Sequence, residues 1–316
     1  MAKEMEFFCN DTEYRSSFAI SHIFLAFETK YSSKINIPKK KPQKFVKEVE
    51  QLNEYAKNGT EIANNSLILS EDGFLGEGFY AFVYAGKLVN GGHPVAIKFV
   101  PKSNIVLHET EFGIFEKLNA YKNPQIEEIG FPNVYYHGNW SSYHVTAMTK
   151  LDQSLADILE KGVLPLDMMI LFKSFVIQTE YMHKHGICHG NVNSKHIMFR
   201  SNQSFIIDFQ ISRTMKDEKF KLSHKDWKQF LFMITNYYGI RFYWDDWNFC
   251  KNALQGHKLD EGLKKIIEKF GDEAFSTDDS KSLPNYKRVK KIINKEIKKN
   301  CGYWGFSSPQ FSWLPN

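Results

Sequence analysis

The chain has 316 residues, 42% of them hydrophobic and 24% charged, which excludes a disordered tail and a fibrous array. Its 41 Lys+Arg against 36 Asp+Glu leave 41 − 36 = 5 surplus positive charges, too few over this length to point to nucleic acid by themselves. The length suits two compact units or one two-lobed domain, each able to bury a sizeable core.

Residues 1–65 read as an N-terminal extension. MAKEMEFFCN carries acids where a secretory signal would carry Lys or Arg, and the apolar stretch Ser17 to Phe27 is too short to span a bilayer. A basic run, Pro38 to Lys44, reads as a solvated loop or as a nuclear-import or acidic-surface patch. After it, Phe45, Val46, Val49, Leu52 and Tyr55 form the stripe of a short amphipathic helix, closed by Asn58-Gly59.

From Leu67 the pattern turns to strands. Phe74 to Tyr84 is aromatic and β-branched with glycines at 76 and 78, and Asn90-Gly91-Gly92 reads as a hairpin turn before Val95 to Val100. After Ser103 a helix sets Phe112, Phe115 and Leu118 on one face. Beyond residue 151 helices dominate, notably Leu171 to Met182 and Asp226 to Tyr238, with a short buried strand, Ser204 to Phe209, between them. The expected class is α+β, with a small β-rich half (66–150), a larger helical half (151–300) and an aromatic tail (301–316). Cys9, Cys188, Cys250 and Cys301 lie far apart without CxxC or paired Cys/His spacing, which argues against structural zinc and a disulfide framework and for a cytoplasmic or nuclear home.

Leu75-Gly76-Glu77-Gly78-Phe79-Tyr80-Ala81-Phe82-Val83 is a Gly-rich strand–turn–strand whose backbone can approach phosphates closely. The next strand, Val95-Ala96-Ile97-Lys98, sets a lysine among apolar residues, costly unless it meets anions. In the following helix Glu111 sits best to meet it. Later come His189-Gly190-Asn191-Val192-Asn193-Ser194-Lys195-His196 and Ile207-Asp208-Phe209-Gln210.

Taken in order, these motifs resemble the eukaryotic protein kinases and imply a two-lobed kinase fold. Met148 to Leu155, His189-Gly190 and Leu283-Pro284-Asn285-Tyr286 are similar to the casein kinase one group and, within it, to the vaccinia-related kinases. The resemblance implies ATP and Mg²⁺ as cofactors. Gly76 and Gly78 would cover the phosphates, Lys98 would hold them, Glu111 would pair with Lys98, and Asp208 would bind Mg²⁺. Val83 and Ala96 would cover the base, with Met148 as gatekeeper.

Six departures bear on activity. Asn191 stands where the family's catalytic-loop aspartate accepts the hydroxyl proton, and an amide cannot act as general base; losing such a base costs about 10²–10⁴ in rate. Asn193 replaces the loop lysine and His196 the second metal-binding asparagine, although imidazole prefers softer metals than magnesium. Gln210 replaces the glycine after Asp208-Phe209, and Ala81 the third loop glycine. Finally, only Ile211 to Lys225 precede Asp226, too few for the activation loop and the peptide platform.

The reading is a pseudokinase that retains the ATP cleft and works as a regulatory or protein-binding module, its partners an active kinase or that kinase's substrates. The rival is a weak or atypical Ser/Thr kinase. A third reading, a nucleic-acid- or chromatin-associated scaffold, rests on the basic run Pro38 to Lys44 and on that between Lys287 and Lys299. The aromatic tail (Tyr303, Trp304, Phe306, Phe311, Trp313) reads as a packed terminus or a partner-binding peptide. His183, His185 and His189 read as a metal cluster or, for the first two, as cations at a helix end and, by the resemblance, for His189 as a structural histidine of the family's loop.

Overall fold

A computed structural model describes residues 43–78, 81–215, 219–240, 246–276 and 282–304. The basic run Pro38 to Lys44 falls almost wholly outside them, as do residues 305–316 of the aromatic tail and the side chains of Tyr303 and Trp304. The chain divides into residues 1–50 and a compact unit of residues 51–316. Of the first, only 43–50 are described, the opening turns of helix α1 (Gln43–Lys57).

The expected boundary at residue 65 moves forward. From Gln51 the stripe of α1 belongs to the second unit, where Leu52, Ala56 and Ile62 are buried and the Tyr84 hydroxyl donates to Asn53 Oδ1 at 2.9 Å. Strand β1 (Glu61–Ile62) opens a six-stranded antiparallel sheet. It continues through β2 (Leu67–Glu77), β3 (Phe82–Leu88) and β4 (Pro94–Pro101), then β6 (Tyr143–Thr149) and β5 (Val134–Trp140) at the far edge. Gly91 (φ 87°) and Gly92 (φ 64°) make the predicted turn between β3 and β4, in the left-handed region where a Cβ is unfavourable. Helix α2 (Ile105–Lys117) follows β4, with Phe115 and Leu118 buried and Phe112 half-buried.

After the short helix α3 (Ile126–Ile129) and the sheet's last strands, β7 (Gln153–Ser154) leads into α4 (Leu155–Lys161). Ser154 and Asp157 cap that helix reciprocally. Helix α5 (Pro165–Lys184) starts on a proline, suited to a position that needs no amide donor. Then come β8 (Ile187–Cys188), β9 (Ile197–Arg200), β10 (Gln203–Ile206) and β11 (Arg213–Thr214). Helices α6 (Lys219–Tyr237), α7 (Trp247–Gln255), α8 (Glu261–Ala274) and α9 (Tyr286–Trp304) complete the larger lobe. Its centre is aromatic: Phe175 stacks on Phe230 at 3.9 Å and Trp227 on Phe270 at 4.2 Å, tying α5, α6 and α8 together. Helix α6 begins seven residues before Asp226, at Lys219, so only residues 211–218 separate it from Gln210.

Candidate active site

Directly opposed residues in an antiparallel ladder share a face of the sheet. Val83 lies opposite Lys98, and Ala96 opposite Met148. Ala96 and Lys98, two apart on β4, share that face too. The four residues expected to line a nucleotide cleft therefore form one surface, Val83, Ala96 and Met148 half-buried and Lys98 buried. Gly76 pairs with Val83, and the Gly78 amide donates to the Ala81 carbonyl at 2.8 Å, closing the Gly-rich hairpin at its base. Residues 79–80 at its tip lie outside the described residues.

The Lys98 ammonium donates to Glu111 Oε1 at 2.8 Å and Asp208 Oδ1 at 3.0 Å. Glu111 reaches it from α2, and its Oε1 also accepts from the Phe209 amide at 3.2 Å. Burial works against the charge on Lys98, but Asp208 and then Glu111 overcome it and raise its pKa. Burial likewise opposes the Asp208 carboxylate, yet Lys98 and His196 hold its pKa well below the usual range. For Glu111 burial wins and pushes its pKa up.

The opposite wall is the loop from His189 to His196. The Asp226 carboxylate on α6 accepts from the amides of His189 (2.9 Å) and Gly190 (2.7 Å). Gly190 sits at φ 76°. His189 Nε2 lies 2.9 Å from the Ile207 carbonyl, and its ring packs 5.1 Å from Phe209, which is itself buried against Phe115 and Phe131. Asn191, Asn193 and His196 are joined to one another. Asn193 Nδ2 donates to the Asn191 carbonyl at 3.1 Å, and His196 Nδ1 lies 2.9 Å from both groups. His196 Nε2 then donates to Asp208 Oδ2 at 3.1 Å.

The model of the protein kinase domain matches residues 69–238, more than half of the chain. The chain belongs to the protein kinase family. It is similar to the probable serine/threonine-protein kinase FPV226 of fowlpox virus (strain NVSL), 23% identical over 213 residues, 64% of this chain and 67% of that protein. Casein kinase I homolog 3 of Schizosaccharomyces pombe is 21% identical over 155 residues, 46% of this chain and 34% of that protein. The chain thus spans two thirds of the first relative and about a third of the second. The solved structure of vaccinia related kinase 3 superposes with a TM-score of 0.58 at 12% identity, covering 85% of this chain and all of that one. Kinase fold and likeness to the vaccinia-related and casein kinase one groups agree with the sequence motifs.

Within this kinase fold the structure brings Lys98, Glu111, Asp208 and His196 together beside the cleft face. The residues do not fit Mg²⁺. Mg²⁺ demands near-octahedral oxygen ligation, whereas both Asp208 oxygens already accept hydrogen bonds and the second expected ligand is an imidazole that donates one of them. Among the described residues no group of three or more His, Cys, Asp or Glu side chains is placed to hold a metal. His183, His185 and His189 do not converge. His183 lies buried between Asp226 and the Tyr286 hydroxyl, His185 meets the Tyr181 carbonyl, and His189 meets Ile207. In the basic run of α9, Arg288 pairs with Glu273, Lys290 with Glu180 and Lys299 with Glu296.

Two features escaped the sequence reading. Asp226 serves there to align α6, not to anchor the loop; between Lys225 and Lys228 it looks like one more exposed charge, and no local signal marks it as buried. A column of His108, His137 and His144 beside Phe112 had none, because each histidine stands alone in its own element. No helix among the described residues is long and apolar enough to cross a membrane.

Proposed function

We propose that this chain is a pseudokinase: a regulatory or protein-binding module of the kinase fold that holds ATP against Lys98 but does not transfer its phosphoryl group. Asn191 carries this reading. A carboxamide stands at the position from which the resemblance requires a carboxylate to accept the substrate proton. The short segment 211–218 agrees with it, since Arg213–Thr214 is spent pairing with Ile187–Cys188, leaving little floor for a peptide acceptor. Such a module would act by presenting its surfaces, competing with an active relative for partners.

The test is radiolabelled phosphate incorporation by the full chain, into itself and into an acceptor protein, beside Lys98→Met. Background labelling in both is expected, and Lys98-dependent incorporation would overturn the reading. Asn191→Asp alone is expected to leave peptide phosphorylation at background. A full rescue would show that the platform suffices and that only the base is missing.

The second reading, a weak Ser/Thr kinase, is favoured by the assembled Lys98–Glu111–Asp208 cluster, because positioning supplies much of phosphoryl-transfer catalysis. Slow autophosphorylation that Lys98→Met abolishes would decide for it.

A further inference from the structure

Asn191, Asn193 and His196 look, one position at a time, like three separate losses from a catalytic loop. In the structure they form a single hydrogen-bonded unit with a direction. With Nε2 protonated, His196 Nδ1 accepts from Asn193 Nδ2 at 2.9 Å, and the same amide donates to the Asn191 carbonyl at 3.1 Å, which fixes the ring. Fixed so, the imidazole presents Nε2 to Asp208 Oδ2 at 3.1 Å. Lys98 takes the other oxygen at 3.0 Å and is held in turn by Glu111 at 2.8 Å. Hydrogen bonding at one imidazole nitrogen orients what the other can do, as it does for metal-binding histidines. Here the other nitrogen donates to the carboxylate. Asp208 is only part-exposed, so few further acceptor sites face solvent.

We infer that His196 takes the place of Mg²⁺ on Asp208, so that ligand binding in this cleft is independent of divalent cation. The inference rests on reading the cleft as a relic nucleotide site. It can fail separately, because cation binding is measured without any phosphate transfer.

Thermal unfolding of the full chain is followed against Mg²⁺ and against EDTA, with and without ATP. The wild-type midpoint is expected to be the same in Mg²⁺ and in EDTA under both conditions. His196→Asn, which supplies the oxygen ligand of the family and releases Asp208, is expected to gain a saturable Mg²⁺-dependent rise that the His196→Asn/Asp208→Asn pair loses. Should His196→Asn not unfold cooperatively, His196→Ala vacates the same oxygen and carries the same expectation. Two results overturn the inference: a saturable Mg²⁺-dependent rise in wild type that Asp208→Asn removes, or cooperatively folded His196 variants that gain none.

Discussion

The two walls of the cleft have been built to different rules. The wall from β4 and α2, joined by Asp208 from just after β10, keeps full charges in contact: a buried ammonium between two carboxylates at 2.8 and 3.0 Å. The wall from the loop at His189–His196 has exchanged charge for amides and imidazole, which satisfy one another internally. A buried ion pair punishes partial loss, because removing one member strands the other in low dielectric. An exposed or half-exposed loop residue changes at little cost to folding. Stability therefore constrains the upper wall whether or not the site catalyses, while single changes on the lower wall cost less.

The largest effect should come from breaking the upper wall. Lys98→Met leaves Glu111 and Asp208 without their shared cation, and loss of one partner from a buried pair costs about 3–5 kcal/mol. The urea midpoint of the variant at neutral pH should fall accordingly, whereas Asn193→Ala on the lower wall should move it by less than about 1.5 kcal/mol, the ordinary worth of a hydrogen bond. Equal losses from the two variants would erase the contrast. The kinase-dead control is thus also a folding variant and must be checked as one.

Acid should attack the same wall from behind α2. His108 stacks between His137 and His144, each ring centroid 4.5 Å away, and Phe112 stacks on His137 at 3.5 Å. Burial, then the neighbouring imidazoles and Lys98, push the His108 pKa down to about 3; burial and His144 push His137 down to about 4. For His144 burial and Lys102 lower the pKa against the pull of Glu109. The unfolded chain binds protons on these rings from about pH 6.5 downward while the folded chain does not. The histidines therefore cost nothing above pH 6.5, and stability falls as pH drops through the window from there toward pH 4. His108 and His137 together should remove about 2 kcal/mol between pH 6.5 and 5, discounted for the half-buried His137. Urea unfolding across that range checks this, and His108→Phe should flatten the slope. A flat wild-type profile would show that the stack takes up protons while folded.

On the lower wall, a side chain at position 190 should be costly. Gly190 sits at φ 76°, and a Cβ there would meet only the Ile211 carbonyl at an ordinary 3.6 Å. Space is not the obstacle; the left-handed backbone is. Gly190→Arg, which writes the arginine of the kinase H-R-D signature into the loop, should destabilise by about 1–2 kcal/mol. A neutral thermal midpoint in this variant would mean that the loop relaxes to a right-handed conformation readily.

Much of the upper wall was legible because its signal is local. Lys98 in an apolar strand demands an anion, and Glu111 is thirteen residues away on the next element. The lower wall was legible as losses but not as an arrangement. Nothing in the spacing of Asn191, Asn193 and His196 says that imidazole and Asp208 meet, a contact fixed only when β9 and β10 fold back as a hairpin. The start of helix α6 is hidden in the sequence because the apolar pattern becomes regular only at Trp227, while the turns before it, Lys219 to Lys225, are rich in lysine and carry Ser223 and His224, both buried. Residues 51–65 follow a basic run suited to solvent, which hides that Leu52 and Ala56 face a core.

A last variant tests how far the lower wall's support reaches. Asp226, which holds the His189 and Gly190 amides, accepts from His183 Nε2 at 3.0 Å, and the Tyr286 hydroxyl at the start of α9 meets His183 Nδ1. All three side chains are buried, so Tyr286→Phe removes one hydroxyl and leaves a ring nitrogen without a partner, a loss of about 1–3 kcal/mol. If Tyr286 acts only as core packing, unfolding is all that changes. If it steadies the loop through His183 and Asp226, amide exchange at His189 and Gly190 should accelerate beyond the global loss, while exchange at Lys98 on β4 follows the global loss alone. Uniform acceleration across both walls would show that α9 props the fold and not the loop.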